Sequence, residues 1–529
     1  MILGCILILG FAIRLYGNNF GLPMRLHPDE PFLVDSAYRM VQTGDLNPHW
    51  FYYPSLLMYI YAFAFKIEAL FSNFGMLNLD TSVLYITARS INALMGTLML
   101  IVTYYIGCNL YDKRTGIIAA SFLMAMPLAV MHSHYATTDI PLTFFIVLSV
   151  LFASLILKNG KQVYYILTGI CIGLAISTKY TAGLLVIMLL VSHFYVVRKS
   201  HASCNIYAFM KIYFINKTLM LSIFSICLAF LLTTPYAILD FDTFRTYFTK
   251  LIIYSEGTHG VLFLGTMPGW IYHLVVSLPN GMTLILEVLS IIGILFTLRC
   301  MVLIFLKPNE PKLKQINMWS AILLLSWVLP YYLIMGSWGV KFDRYVIPLL
   351  PFLSLFGAYL LSMAIDSVSV TREVFAKRQL RGRVIRDSMA ILAVLLLLIA
   401  PLQASVELDK EMLKEDTREQ ALAWLAHNLP KNSYVVREKF APEAELLPNI
   451  RCKNYRGSMF SHDLDEFRDN HVDYIITSSF VYSRYYAHRN ESVREIKFYD
   501  SLDKQCKLVK AFKGSKEHPG PKIKMYKLI

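Results

Sequence analysis

Long apolar runs recur along this chain, separated by short polar connections rich in Lys and Arg. An apolar run of about 17–25 residues matches the hydrocarbon thickness of a bilayer when coiled into a helix. The pattern predicts helical spans over 1–16, 85–109, 116–132, 139–157, 163–179, 181–198, 217–235, 282–306, 316–336, 345–365 and 389–405, about eleven in all. The segment 50–71 (WFYYPSLLMYIYAFAFKIEALF) is nearly long enough to join them. Its aromatic start, and Lys66 and Glu68 near its end, suit a helix lying in the interface instead. Beyond residue 406 the apolar runs stop. Thr417 with Gln420 reads as a capping box opening a helix that ends at Pro430. Ser433–Val436 and Val472–Thr477 read as strands. The expected fold is a mainly α polytopic membrane domain over 1–406, with a first outer loop over 17–84, followed by a small α/β domain over 407–529.

Composition agrees with that division. The 529 residues are 56% hydrophobic and only 16% charged, and the mean hydropathy is +0.50. The net charge of +14 would suggest nucleic acid in a soluble protein, but here its placement decides. Taking the first helix as entering from the cytoplasm, alternate loops collect Lys113, Arg114, Lys158, Lys161, Arg198, Lys199, Lys307, Lys312, Lys314, Lys377, Arg378 and Arg381. That is the positive-inside asymmetry. It predicts a cytoplasmic N-terminus and an extracytoplasmic tail, and it leaves no role for nucleic acid. The cysteines show no CxxC or zinc spacing. Cys452 and Cys506 fall in the tail, where an oxidising compartment would allow a disulfide. No internal repeat is visible, which argues against an inverted-repeat transporter.

With this orientation, the polar residues at helix ends sort by side. The outer side collects Asp29, Glu30, His132, His134, Asp139, Lys179, Tyr180, Arg245, His259, Lys341, Asp343 and Arg344. Ionisable groups at bilayer segments are costly and tend to be retained for function. Carboxylates beside cations suit the transfer of an anionic, lipid-anchored group: an acid deprotonates a hydroxyl while cations stabilise a departing phosphate. Asp29-Glu30 fits a base with its neighbour, and equally a helix cap. Asp139, two residues before Pro141, fits both a cap and a cavity carboxylate. Lys179 fits a snorkelling lysine or a phosphate ligand. Lys341-Phe-Asp-Arg344 fits a salt-bridged loop or a phosphate fork. His132 and His134 are two residues apart, so alone they would not share a metal, although either could join the carboxylates around one.

Taken in order, several short segments resemble the GT-C superfamily of polytopic glycosyltransferases. The likeness is to the dolichyl-phosphate-mannose–protein mannosyltransferase group and its bacterial relatives, the aminoarabinose transferases acting on lipid A. The matching pieces are Arg14-Leu15, His27-Pro-Asp-Glu30, Tyr53-Pro-Ser-Leu56, Ala88-Arg89, His134-Tyr-Ala-Thr-Thr-Asp139, Thr178-Lys-Tyr180, Pro235-Tyr236, Arg344-Tyr-Val-Ile-Pro348 and, in the tail, Asp416-Thr-Arg418. The resemblance implies a donor sugar on a polyprenyl phosphate, a lipid, protein or glycan hydroxyl as acceptor at the outer face, and inversion at the anomeric carbon. It implies a bacterial inner membrane as the setting. It casts Asp29 as base, Glu30 as its neighbour and Asp139 as the second acid. Lys179 and Arg344, with Tyr180 and Lys341 beside them, would hold the donor phosphate. His27, His134, Arg245 and His259 are further cavity candidates. Some relatives use a divalent metal, so Mg, Mn or Zn at Asp29 and Asp139 stays open. No MIR-type domain is present, which argues against protein O-mannosylation. A flippase for a lipid-linked saccharide is the alternative, but it would need polar groups near mid-membrane.

Overall fold

A computed structural model describes residues 1–73, 80–201, 203–257, 259–306, 318–373, 379–455 and 459–528. The basic positions Lys307, Lys312, Lys314, Lys377 and Arg378 lie outside the described residues. The chain forms two compact units. One comprises Met1–Asn18, Phe32–Glu256 and Met267–Leu408; the other comprises Asn19–Pro31, Gly257–Thr266 and Asp409–Ile529.

The first unit is helical. Among the described residues, eight helical stretches are long and apolar enough to cross a membrane: Thr81–Leu110, Asp139–Asn159, Tyr180–Ser200, Ile206–Thr233, Leu284–Leu306, Met318–Ser337, Asp343–Ser367 and Ser388–Asn428. Ile2–Leu15 and Gln162–Ile176 are shorter apolar helices. The helix Leu56–Asn73 is not among the spanning set. The run 116–132, which reads as one span in the sequence, is two helices, Lys113–Ala125 and Pro127–Ser133, bent by 63°. Pro127 has no N–H to give and pushes Met126 into an extended conformation (φ −67°, ψ 119°). The break strands three carbonyls inside the core, and each finds a donor. Arg14 Nη2 reaches Leu123 O at 3.3 Å and its Nη1 reaches Met124 O at 3.2 Å, while Ser405 Oγ donates to Ala125 O at 2.8 Å. Both Nη groups of a fully buried arginine in the first apolar helix are thereby given acceptors.

Helix pairing uses small residues, as expected where lipid supplies no drive for association. Gly169 and Gly173 form a GxxxG stripe on Gln162–Ile176. A Cβ at either would run into the Ser222 or Ile226 carbonyl of Lys217–Thr233. Helix starts are capped by side chains: Asp80 accepts from Val83 N–H and Asp112 from Thr115 N–H.

The second unit is built on a five-stranded sheet: β1 Tyr434–Glu438, β2 Arg451–Tyr455, β3 Tyr474–Ser478, β4 Lys507–Phe512 and β5 Ile523–Lys527, in the order β2-β1-β3-β5-β4. β1 runs parallel to β2 and β3; β5 runs antiparallel to β3 and β4. The capping box sits one residue earlier than the sequence suggests. Asp416 is the N-cap and accepts from Arg418 N–H, while Glu419 returns a bond to the Asp416 N–H. Thr417 is already helical and spends its hydroxyl on Pro521 O. The segment Asn19–Pro31 is tied into this unit by Arg25 Nε with Glu443 at 3.1 Å and by Arg418 Nη1 with Leu26 O at 3.1 Å. All eight cysteines are free, including Cys452 and Cys506.

Candidate active site

Within the helical unit, four of the singled-out residues come together around one carboxylate. Asp139 opens the helix Asp139–Asn159 and is 3% exposed. Its Oδ1 lies 2.9 Å from Lys179 Nζ and its Oδ2 lies 3.9 Å from His132 Nδ1. Arg344 adds a further positive charge to its field. Lys179 Nζ also sits 5.2 Å from the centre of the Tyr345 ring, and Arg344 Cζ lies 4.8 Å over Phe342. Tyr331, buried nearby, donates its hydroxyl to Tyr345 O at 3.0 Å.

Local structure explains the convergence. The loop 134–138 follows the short helix Pro127–Ser133, and Asn92, from mid-helix Thr81–Leu110, holds it. Asn92 Nδ2 donates to Tyr135 O at 2.6 Å and to Thr137 O at 2.7 Å, and its Oδ1 accepts from Tyr61 Oη at 2.8 Å. Lys179 is presented by the turn after Gln162–Ile176. That turn is stitched to the Tyr53-Pro-Ser-Leu56 segment: Leu56 N–H donates to Ser177 O at 3.3 Å, and Ser55 Oγ to Thr233 O at 3.0 Å. Thr233 in turn bonds the Ser177 hydroxyl at 2.7 Å.

Other candidates fall elsewhere. His134 is 1% exposed, and its two ring nitrogens each face a backbone carbonyl at 3.0 Å, those of Val130 and Tyr16. It ties the end of the first helix to the loop. Tyr180 spends its hydroxyl on Phe51 O at 3.0 Å, and its ring packs on Phe244 and Phe248. Arg245 is exposed on Phe241–Glu256, a helix with no buried residue. Lys341 is buried, which lowers its pKa from the usual lysine value. Asp343 accepts from Ser277 and Asn280 rather than forming the salt-bridged loop the sequence allowed.

His27, Asp29, most of the flanking loop and His259 belong to the second unit. Asp29 donates its backbone N–H to His27 Nδ1 at 3.3 Å and immediately precedes the helix Glu30–Thr43, whose first residue is fully buried. His259 occupies a turn with φ 52°. Among the described residues no group of three or more His, Cys, Asp or Glu is clustered to hold a metal ion. Asn92 and Tyr331 were not singled out by sequence. Asn92 carried a signal, since an amide in the middle of an apolar helix needs a buried partner.

Comparison with known proteins points one way. Residues 81–230 match the family model described as dolichyl-phosphate-mannose-protein mannosyltransferase. An uncharacterised protein of Aquifex aeolicus is 27% identical over 185 residues, 34% of each chain. The archaeal oligosaccharyltransferase AglB of Archaeoglobus fulgidus, in complex with an inhibitory peptide and a dolichol-phosphate, superposes with a TM-score of 0.60 at 14% identity, covering 95% of this chain and 72% of its own. Another structure of that oligosaccharyltransferase holds Zn and sulfate. ArnT of Cupriavidus metallidurans in the apo state superposes with a TM-score of 0.56 at 13% identity, covering 99% of this chain and 97% of its own. Its complex with undecaprenyl phosphate gives 0.53 at 12% identity.

Proposed function

We propose that this chain, which has the fold of the GT-C superfamily of polytopic glycosyltransferases, is a membrane glycosyltransferase that moves a sugar from a polyprenyl-phosphate donor to an acceptor hydroxyl at the outer face of a bacterial inner membrane, with inversion. The observation that carries this reading is the cluster at Asp139: two permanent cations, Lys179 and Arg344, and His132 about one buried carboxylate. Lys179 and Arg344 are the donors that this cluster offers a phosphate. The Asp139–Lys179 pair holds the ammonium in place before the donor arrives, which is how preorganised electrostatics lowers a barrier. An ion-paired, buried Asp139 is poorly suited to take a proton. The base role goes to Asp29, with Glu30 as its neighbour.

In the reaction, the acceptor oxygen attacks the anomeric carbon as its proton passes to the Asp29 carboxylate. The bond from that carbon to the phosphate oxygen breaks, and polyprenyl phosphate leaves with the electron pair. A lipid phosphate whose charge is matched leaves without a strong acid. The partners are then a polyprenyl-phosphate sugar, a lipid, protein or glycan hydroxyl, and the bilayer.

The test is incubation of purified protein with labelled polyprenyl-phosphate sugars, scored for released polyprenyl phosphate. Parallel arms use EDTA and re-addition of Mg, Mn or Zn. Asp29→Asn should abolish transfer with the fold intact, by a factor of ~10²–10⁴; normal turnover in that variant removes Asp29 as base. Movement of the lipid-linked sugar across vesicles without covalent transfer would instead establish a flippase.

A further inference from the structure

The segment 269–283 of the helical unit contains a histidine that sequence reading passed over. His273–Ser277 forms a single π-helical turn, a rarity that recurs at functional sites. His273 and Ser277 are both fully buried. His273 Nδ1 lies 2.9 Å from Ser277 Oγ, and Ser277 Oγ donates to Asp343 Oδ1 at 2.7 Å. The other carboxylate oxygen, Oδ2, accepts from Asn280 Nδ2 at 3.0 Å.

The direction of each bond is forced. A carboxylate only accepts, so the serine hydrogen points to Asp343 and its oxygen is left to accept from the histidine. Nδ1 therefore carries the proton and Nε2 is a bare acceptor, without a hydrogen-bond partner among the described residues. Burial holds the His273 pKa down at about 4 against the opposing pull of Asp343, with Lys341 helping, so the ring is neutral near pH 7. Asp343 sits directly between Lys341-Phe342 and Arg344 in sequence. The carboxylate gripped from these two sides belongs to the first residue of the short helical turn Asp343–Leu349, which carries Arg344.

We propose that His273, through Ser277 and Asp343, is a positioning residue that sets the Lys341–Arg344 turn for the donor phosphate. The inference rests on the function proposed above and names a device by which that site is held.

The experiment uses the full chain in detergent and three readouts: affinity for undecaprenyl phosphate, KM and kcat for donor and acceptor, and hydrogen exchange of the Lys341–Tyr345 amides. Ser277→Ala and His273→Leu cut the relay. Ser277→Thr keeps the hydroxyl, and His273→Asn keeps an N–H near the place of Nδ1. Expected is a ~10-fold or greater loss of undecaprenyl phosphate affinity and a matching rise in donor KM for the cut variants. Acceptor KM stays level, exchange at 341–345 speeds up, and the two conservative variants recover. Unchanged exchange at 341–345 overturns the relay as a positioning device, even if the protein proved to transfer no sugar. Faster exchange with unchanged phosphate affinity overturns its link to the donor. Wild-type protein that neither binds undecaprenyl phosphate nor transfers sugar condemns the function and, with it, that link, while exchange still reads the relay.

Discussion

Asp139 in the helical unit and Glu438 in the tail unit are buried to nearly the same degree, 3% and 2% exposed, yet they are solved oppositely. Asp139 is surrounded by charge: Lys179, Arg344 and His132. Glu438, at the end of β1, is served directly by neutral donors, the Ser478 N–H and the Tyr499 hydroxyl at 2.8 Å, and the one cation in its field, Arg484, acts on it least. Burial pushes the Glu438 pKa up to about 8, so at neutral pH it is largely an uncharged acid. A fold that only needs to bury a carboxyl protonates it and hydrogen-bonds it. Bringing several cations to a carboxylate instead costs desolvation of every partner, which structure alone gains little from. The expensive solution marks the region that handles charge.

The sharpest way to break this contrast is to cut the ion pair. Asp139→Asn strands the Lys179 ammonium; a loss of about 3–5 kcal/mol is expected for one partner of a buried pair. Thermal denaturation in detergent reads that loss, and the labelled-donor assay should fall at least ~10²-fold, the scale of a lost electrostatic contact in an active site. Lys179→Met should destabilise comparably. Joining the two, Asp139→Asn with Lys179→Met, should recover much of the stability and none of the transfer. Recovered transfer in the pair would make the cluster structural and erase the contrast.

The tail answers with pH. The folded Glu438 pKa, about 8, lies above its unfolded value of 4.5. The folded state therefore holds the extra proton between those values, and stability falls as pH rises through that window. Glu438→Gln should flatten the tail's denaturation profile between pH 5 and 8 and stabilise it at the alkaline end, with sugar transfer near wild type. A tail whose stability is level across that window in wild type would show the carboxyl to be ionised and the comparison misdrawn.

How far each region could be read in advance follows from range. The apolar runs announced the helices, because a bilayer imposes a length and a composition on each segment locally. His134-Tyr-Ala-Thr-Thr-Asp139 and Thr178-Lys-Tyr180 announced two sides of the Asp139 cluster, and Arg344 announced a third. What stayed hidden depends on partners remote in sequence. Tyr180 and His134 looked like ligands, but carbonyls of Phe51, Val130 and Tyr16 claim them. Arg14 looked like a motif end, and it serves carbonyls freed by Pro127. The bend at Met126 was itself legible from that proline, whereas the residue that would repair it was not. In the tail, a one-residue shift of the capping box from Thr417 to Asp416 reflects two adjacent residues that both cap well.

The smallest test separates bracing from charge within the Asp139 region. Asn92 touches no candidate reactant; it holds the carbonyls of Tyr135 and Thr137 and receives Tyr61. Asn92→Ala orphans these buried groups, at about 1–3 kcal/mol for each left unsatisfied. If charge alone organises the cluster, the Asp139–Lys179 pair should survive the looser loop: stability drops, but donor KM and kcat stay within about twofold. If the loop must be held for Asp139 to meet Lys179, the same variant loses transfer out of proportion to its stability. The coupling energy with Asp139→Asn then departs from zero, because both substitutions dismantle one arrangement. We expect the second outcome, since two short hydrogen bonds to one five-residue loop leave its carboxylate little freedom to re-form the pair from another backbone position.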